Sequence, residues 1–152
     1  MADHQYCTFY VDGHFLGLDV LKVQEIIRYQ EMTCVPLAHP VVCGLINLRG
    51  QIVTAIDLRR RLELLDRPPD LLPVNVVVHT DDGAVSLLVD EIGDVLEVSD
   101  SAFELPPETL QGTARDLIRG AYKLPDRLLL ILDTERTVNV SGAGPTRRKN
   151  DE

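Results

Sequence analysis

The chain has 152 residues, a formal net charge of -9 from 15 Lys+Arg against 24 Asp+Glu, 45% hydrophobic residues and no Trp. That length suits one domain, or two small subdomains sharing a core, and should fold without metal or disulfide help. The acidic balance argues against a nucleic-acid partner or docking on anionic lipid, and no apolar run approaches the roughly 18 residues that would insert into a bilayer.

The N-terminus, Met1-Ala-Asp-His-Gln-Tyr, has neither the basic nor the apolar segment of a signal peptide. Residues 6–11 read as a strand, Asp12-Gly13 as a hairpin turn, and 15–19 as the returning strand. Val20, Val23, Ile26 and Ile27 recur at three- and four-residue spacing, which predicts a short amphipathic helix over 20–28. Pro36 and Pro40 punctuate an irregular connection. Residues 44–48 and 52–56 flank an Arg49-Gly50 turn, and Asp57 can cap a short helix over 58–65. Pro68-Pro69 mark a linker, with the chain dividing near 66–73.

Strands follow at 74–79 and 85–89 around Asp82-Gly83. Leu105-Pro-Pro107 and Gln111-Gly112 form an irregular excursion. Residues 117–122 and 128–132 read as strands around Pro125-Asp126, and Asp133 precedes a helical turn at 134–138. From Ser141 the residues are Gly, Pro and charged, which predicts a disordered tail over 141–152 that includes Arg147-Arg-Lys149.

The two halves repeat a plan: strand, Asp-Gly turn, strand, irregular loop, hairpin, and an apolar strand ending in Asp. Ile56-Asp57 and Leu132-Asp133 correspond, half the chain apart. Two small barrels of about five strands each would satisfy the plan, since closure removes exposed sheet edges.

Catalytic signatures are scarce. There is no G-x-S-x-G, no G-K-[ST] phosphate loop and no H-E-x-x-H. His39 and Cys43 stand four apart and could ligate a metal if helical, but Pro40 intervenes; a loop His and a small buried Cys are the simpler reading. His4-x-x-Cys7 lies on a strand, where that spacing points to opposite faces, and His14 and His79 read as solvated strand ends. The three cysteines, Cys7, Cys34 and Cys43, make no disulfide framework, which points to a reducing cytoplasm. Asp81-Asp82 and Asp90-Glu91 with Asp94 could do acid–base work, but solvated surface is the simpler expectation. A solvated face is also expected for Arg59-Arg60-Arg61. The segment from Gly44 to Arg59 is more specific. Gly50 supplies the positive φ of a tight turn, Asn47 can bond local backbone, and Asp57 and Arg59 can pair with each other or with a neighbouring segment. Turn chemistry plus a cap explains Gly50 and Asp57 well and Arg49, which projects at the turn, less well.

At these residues the chain resembles the chemotaxis coupling protein family (CheW). The matching motifs are Asn47-Leu-Arg-Gly50 with Ile52 and Asp57-Leu-Arg59; Gly17-x-Asp19-Val-x-x-Val23-Gln-Glu25-Ile26; Leu88-Val-Asp90-x-Ile-x-Asp94-Val95; and Gly120 with the run Asp126 to Asp133. They stand in order across nearly the whole chain. Ser86, where the family commonly has Gly, and Thr54-Ala55, in place of a frequent Val-Pro, depart from the pattern.

The resemblance implies a mainly β fold of two five-stranded Src-homology-type β-barrel subdomains sharing an apolar core, with short helices, as one domain over 1–140. It implies a non-catalytic adaptor, without cofactor or metal, that joins the cytoplasmic tips of chemoreceptors to the regulatory domain of the histidine kinase CheA. Such a protein would be cytoplasmic and recruited to membrane-associated receptor arrays. Val23, Glu25, Gly44, Asn47, Arg49, Gly50, Asp57, Asp90 and Val95 would then serve partner binding. The receptor helix hairpin would dock in the apolar groove between the barrels, and the kinase domain barrel against barrel. The same scaffold could serve a chemosensory pathway controlling pili or gene expression. A small metal-dependent enzyme using His39 and Cys43 is the remaining alternative.

Overall fold

The computed structural model describes residues 3–81, 83–106 and 112–139. The expected tail over 141–152, Asp82, Pro107 and Gln111 lie outside the described residues.

The chain opens with β1 (Asp3–Val11) and β2 (His14–Asp19), joined by Asp12 and Gly13 at φ 51° and 82°. Two consecutive positive φ values make a type I′ turn, whose twist suits a two-residue hairpin. A single 3-10 turn, Val20–Lys22, follows, its start held by the Asp19 carboxylate accepting from the Leu21 N–H at 2.9 Å. Then come β3 (Val23–Ile27), β4 (Val42–Leu48), β5 (Gln51–Asp57) and α1 (Leu58–Arg61). The second half supplies β6 (Val74–Thr80), β7 (Gly83–Val89), β8 (Glu91–Ser99), a short β9 (Phe103–Glu104), α2 (Gly112–Leu117), β10 (Ile118–Lys123), β11 (Leu128–Leu132) and α3 (Thr134–Val138).

The helix expected over 20–28 is absent; beyond the 3-10 turn that segment is a strand. Residues Val23 and Glu25 pair with Val78 and Val77, so Gln24 is an extra residue in a β-bulge. The bulge shifts the two-residue alternation by one, and the shifted pattern imitates helical spacing. Three β-branched residues in five favour the extended form. At the other end, α2 occupies part of the predicted irregular excursion and takes Leu117 from the predicted strand.

The strands form two sheets. One has six strands in the order β8-β1-β2-β11-β10-β9, the other five in the order β3-β6-β7-β5-β4. Each contains one parallel pair, β2 with β11 and β5 with β7. The halves of the chain contribute in the same way: β1 and β2 correspond to β6 and β7, β3 to β8, and β4 and β5 to β10 and β11. β3 and β8 each cross to the other sheet, so each sheet draws on both halves. Backbone hydrogen bonds close neither sheet into a barrel among the described residues, and β9 adds a sixth strand to one.

The core lies between the sheets. Phe9, Leu16, Leu18 and Leu132 come from one sheet, Ile56, Val76 and Leu87 from the other, with Leu58 of α1 in the same cluster, all at most 2% exposed. Each such side chain contributes about 1.5–3 kcal/mol on burial. A smaller cluster sits within each sheet: Tyr6, Tyr122 and Leu129 in the first, Ile46, Val53 and Val77 in the second. Strands buried on both faces explain why 128–132 reads as a continuous apolar run.

Candidate partner-binding surface

The turn between β4 and β5 presents the most specific residues. Arg49 and Gly50 have φ 52° and 86°, again a type I′ turn. Asn47 Oδ1 accepts from the Gly50 N–H at 2.9 Å and locks the turn. The Arg49 side chain is 70% exposed and donates through Nη2 to Glu25 Oε2 on β3. That hydrogen bond holds the Glu25 carboxyl below the ordinary carboxylate range. The pairing has a structural consequence. β3 and β4 are the two ends of the five-stranded sheet, so the Glu25–Arg49 pair draws those ends together by side chains where the backbone leaves the sheet open.

Gly44 is needed for close approach. Thr33 and Leu45 exchange two backbone hydrogen bonds of 2.8 Å, which lays the 28–41 connection against β4. A Cβ on Gly44 would stand 2.6 Å from the Thr33 carbonyl oxygen. Gly44→Ala is therefore expected to push that connection away and cost about 1–3 kcal/mol. Urea denaturation reads the loss, and faster hydrogen exchange at the Thr33 and Leu45 amides locates it. Unchanged exchange would mean that the connection is held elsewhere.

Val23 starts β3 half-buried, beside the bulge that carries Glu25. Val95 lies in β8 on the other sheet and is 55% exposed. Exposed apolar side chains accompany these positions on the same strands, with Ile26 on β3 and Ile52 on β5. The structure thus brings Glu25, Asn47, Arg49 and Gly50 together and leaves Val95 on a separate strand.

Asp57 and Asp90 are interior residues. Asp57 Oδ1 accepts from the Arg59 N–H at 3.0 Å and caps α1. Asp90 accepts from Arg59 Nη2 at 2.6 Å, Arg67 Nε at 2.9 Å and the Asp12 N–H at 2.7 Å. Arg67 also stands 3.6 Å from Asp57. The side chains of Arg59, Arg67, Asp57 and Asp90 are all at most 10% exposed. The expectation of solvated surface fails for Asp90, and that of a solvated face fails for Arg59 and Arg61. Parallel pairing of β5 with β7 sets their acidic ends side by side, and the charges neutralise one another out of water. Burial alone would push the Asp90 carboxyl up; hydrogen bonds from Arg59, the Asp12 N–H and Arg67 outweigh it and hold the group below the usual range. Asp81, Glu91 and Asp94 are exposed as expected.

Arg67 escaped sequence reasoning because it sits in a linker; its one signal was being the sole cation between residues 62 and 73. Leu37 was missed as well. It is fully exposed, with φ 64°. His39 Nδ1 accepts from the Val41 N–H at 3.2 Å, and Cys43 sits beside Asp57 with its thiol pushed up by burial. No group of three or more His, Cys, Asp or Glu side chains able to hold a metal occurs among the described residues. No helix among them is long and apolar enough to cross a membrane. Ser86 is fully buried and donates to Asn75 Oδ1 at 2.7 Å, while Asn75 Nδ2 donates to the Arg28 carbonyl at 3.0 Å. The hydroxyl that departs from the family pattern is thereby satisfied.

Comparison with known proteins agrees with this architecture. Residues 5–141 match the family model described as a CheW-like domain. The protein named "Chemotaxis protein CheW" of Bacillus subtilis (strain 168) is 34% identical over 132 residues, covering 87% of this chain and 85% of that one. Its counterpart in Treponema pallidum (strain Nichols) is 28% identical over 136 residues, covering 87% and 80%. The crystal structure of the scaffolding protein TtCheW from Thermoanaerobacter tengcongensis superposes with a TM-score of 0.83, over 93% of this chain and 96% of that one, at 24% identity. Sequence motifs, paired sheets and matched length converge, and this chain belongs to the CheW-like family.

Proposed function

We propose that this chain is a non-catalytic adaptor that couples the cytoplasmic tips of chemoreceptors to the histidine kinase CheA, working in the cytoplasm at membrane-associated receptor arrays. The observation that carries this reading is Arg49. It is a long cation at an exposed hairpin tip, in a backbone conformation that suits Asn or Gly better, and its one side-chain tie among the described residues is a surface pair with Glu25. A residue kept there against local preference serves something outside the fold. Glu25, Asn47 and Gly50 adjoin it, the half-buried Val23 lies two residues before Glu25 on β3, and Gly44 sets the adjoining connection. Together they form a polar-rimmed patch with apolar neighbours, the composition that docking surfaces require. Val95, on the free side of β8, offers a second patch on the other sheet. Asp57 and Asp90 contribute from inside by fixing the strands that carry these positions.

The experiment is co-sedimentation of the purified protein with receptor cytoplasmic fragments and kinase, its folding checked by a cooperative thermal transition. Recruitment of kinase to receptor only in the presence of this chain is expected. Folded protein that leaves the kinase in the supernatant would sink the proposal.

A further inference from the structure

A cavity of about 790 Å³ lies where the two halves of the chain meet. The two sides of that meeting repeat each other. The Asp57 N–H donates to the Val41 carbonyl at 2.8 Å, and the Asp133 N–H to the Leu117 carbonyl at 2.8 Å. Arg60 Nη1 donates to the Pro40 carbonyl at 3.1 Å, and Arg136 Nη1 to the Asp116 carbonyl at 3.2 Å. Two equivalent arginines thus face the same space from α1 and α3.

Arg61 breaks the repeat, because Thr137 stands in the equivalent place. Its Nε donates to the Thr137 carbonyl at 2.9 Å and its Nη2 to the Arg136 carbonyl at 2.8 Å. It is 7% exposed, lines the cavity, and forms no ion pair among the described residues. Arginine is almost never buried to this degree without a carboxylate, since desolvating an unmatched cation is costly. The carbonyl end of α3 offsets part of the charge, on the order of half an elementary unit at most.

The other lining groups add donors. Arg60 gives Nε to Asp66 and Nη1 to Pro40, leaving Nη2. His39 accepts at Nδ1 from Val41, so its proton sits on Nε2. Burial, and then the Arg61 charge, push its pKa down. The acidic groups are Glu63, already bonded to the Thr113 hydroxyl at 2.9 Å, and the exposed Asp116. Three guanidinium groups and a neutral imidazole therefore line the cavity with two carboxylates; Glu63 is engaged by Thr113 and acts on Arg61 only through its charge, and Arg60 also pairs with Asp66 and stands 3.9 Å from Asp57, both outside the lining.

We propose that this cavity binds a small oxyanion carrying two or more negative charges. The anion supplies the partner that Arg61 lacks, and Arg60 and Arg136 close on it from the two halves. The fork of a guanidinium suits phosphate and carboxylate oxygens alike. Bound there, the ligand bridges α1 and α3 and so ties the two halves of the chain together. The site does not involve Arg49 or the surface around it.

Titration of the histidine ring protons by NMR, at constant ionic strength set with chloride, tests this with inorganic phosphate and with succinate as probes. An anion beside Arg61 offsets the charge that depresses His39, so the His39 titration midpoint is expected to rise with saturation. Saturation by phosphate alone identifies a phosphate ligand, and saturation by succinate alone a dicarboxylate; either supports the site. Arg136→Gln is expected to weaken the binding about tenfold, the loss of one charge-assisted contact. Arg60→Gln gives a second measure should either variant fold poorly. Failure of both probes to saturate by tens of millimolar, or an equal response in Arg136→Gln and wild type, would overturn the proposal.

Discussion

Asp90→Asn is expected to destabilise the protein by about 3–5 kcal/mol, because it leaves Arg59 and Arg67 buried beside a neutral amide. That is a large share of the 5–15 kcal/mol typical of a domain. Asp90 ties four parts of the molecule at once. It follows β7, accepts from the Asp12 amide in the turn of the other sheet, and holds Arg59 of α1 and Arg67 of the linker. Its own N–H donates to the Tyr10 carbonyl at 2.9 Å. The pH dependence follows from the lowered pKa. A carboxyl with a depressed folded value contributes stability that is fully present above its unfolded pKa, about 3.9. That contribution is lost as the pH falls through the folded value. Wild type should therefore lose stability below about pH 4, and the Asn variant should lose less over the same window. Urea denaturation of both proteins at pH 7 and pH 3 measures the difference. Parallel pH profiles would mean that Asp90 does not set the acid limb.

Much of the fold was legible because turns and strand periodicity act locally. Asp12-Gly13 and Arg49-Gly50 carry their backbone geometry in their glycines. Asp57 and Asp133 each cap the helix that follows, through the Arg59 and Arg136 amides. What escaped depended on pairing between distant segments. The β3 bulge is defined only against β6. The helix expected over 58–65 ends at Arg61, and no glycine marks that end. Glu63 adopts φ 62° there, while the Leu64 N–H reaches the Arg59 carbonyl at 2.7 Å and the Glu63 N–H the Arg60 carbonyl at 3.0 Å. This is a Schellman ending built without glycine. The same limit applied to charge. Asp90 and Arg59 read as surface because no local rule says that parallel pairing of β5 with β7 will bury them together. The pair Glu25–Arg49 was visible as two motif residues, but their meeting needed the curl of the sheet.

The second large effect is expected at Arg49, where binding and stability should move in opposite directions. Asn is favoured over Arg at the first position of a type I′ turn, because its short side chain tolerates positive φ. Arg49→Asn should keep the hairpin and raise stability by up to about 1 kcal/mol, or about 2–4 °C in Tm for a chain of this size. The Asn47–Gly50 hydrogen bond that closes the turn uses neither the Arg49 side chain nor its amide. Loss of the exposed pair with Glu25 should cost little, since surface ion pairs are weak. If the surface around Arg49 is the docking site, assembly with kinase and receptor should fall at least about tenfold, as for a central arginine anchor. Arg49→Glu should lower assembly further by setting a like charge beside Glu25, with only a small change in Tm. Calorimetry and co-sedimentation on the same preparations give both quantities. A marked drop in Tm for Arg49→Asn would assign the residue to the fold, and unchanged assembly in both variants would remove it from the docking surface. A stabilised protein that no longer assembles is the result that separates the two roles, because a merely structural residue cannot produce it.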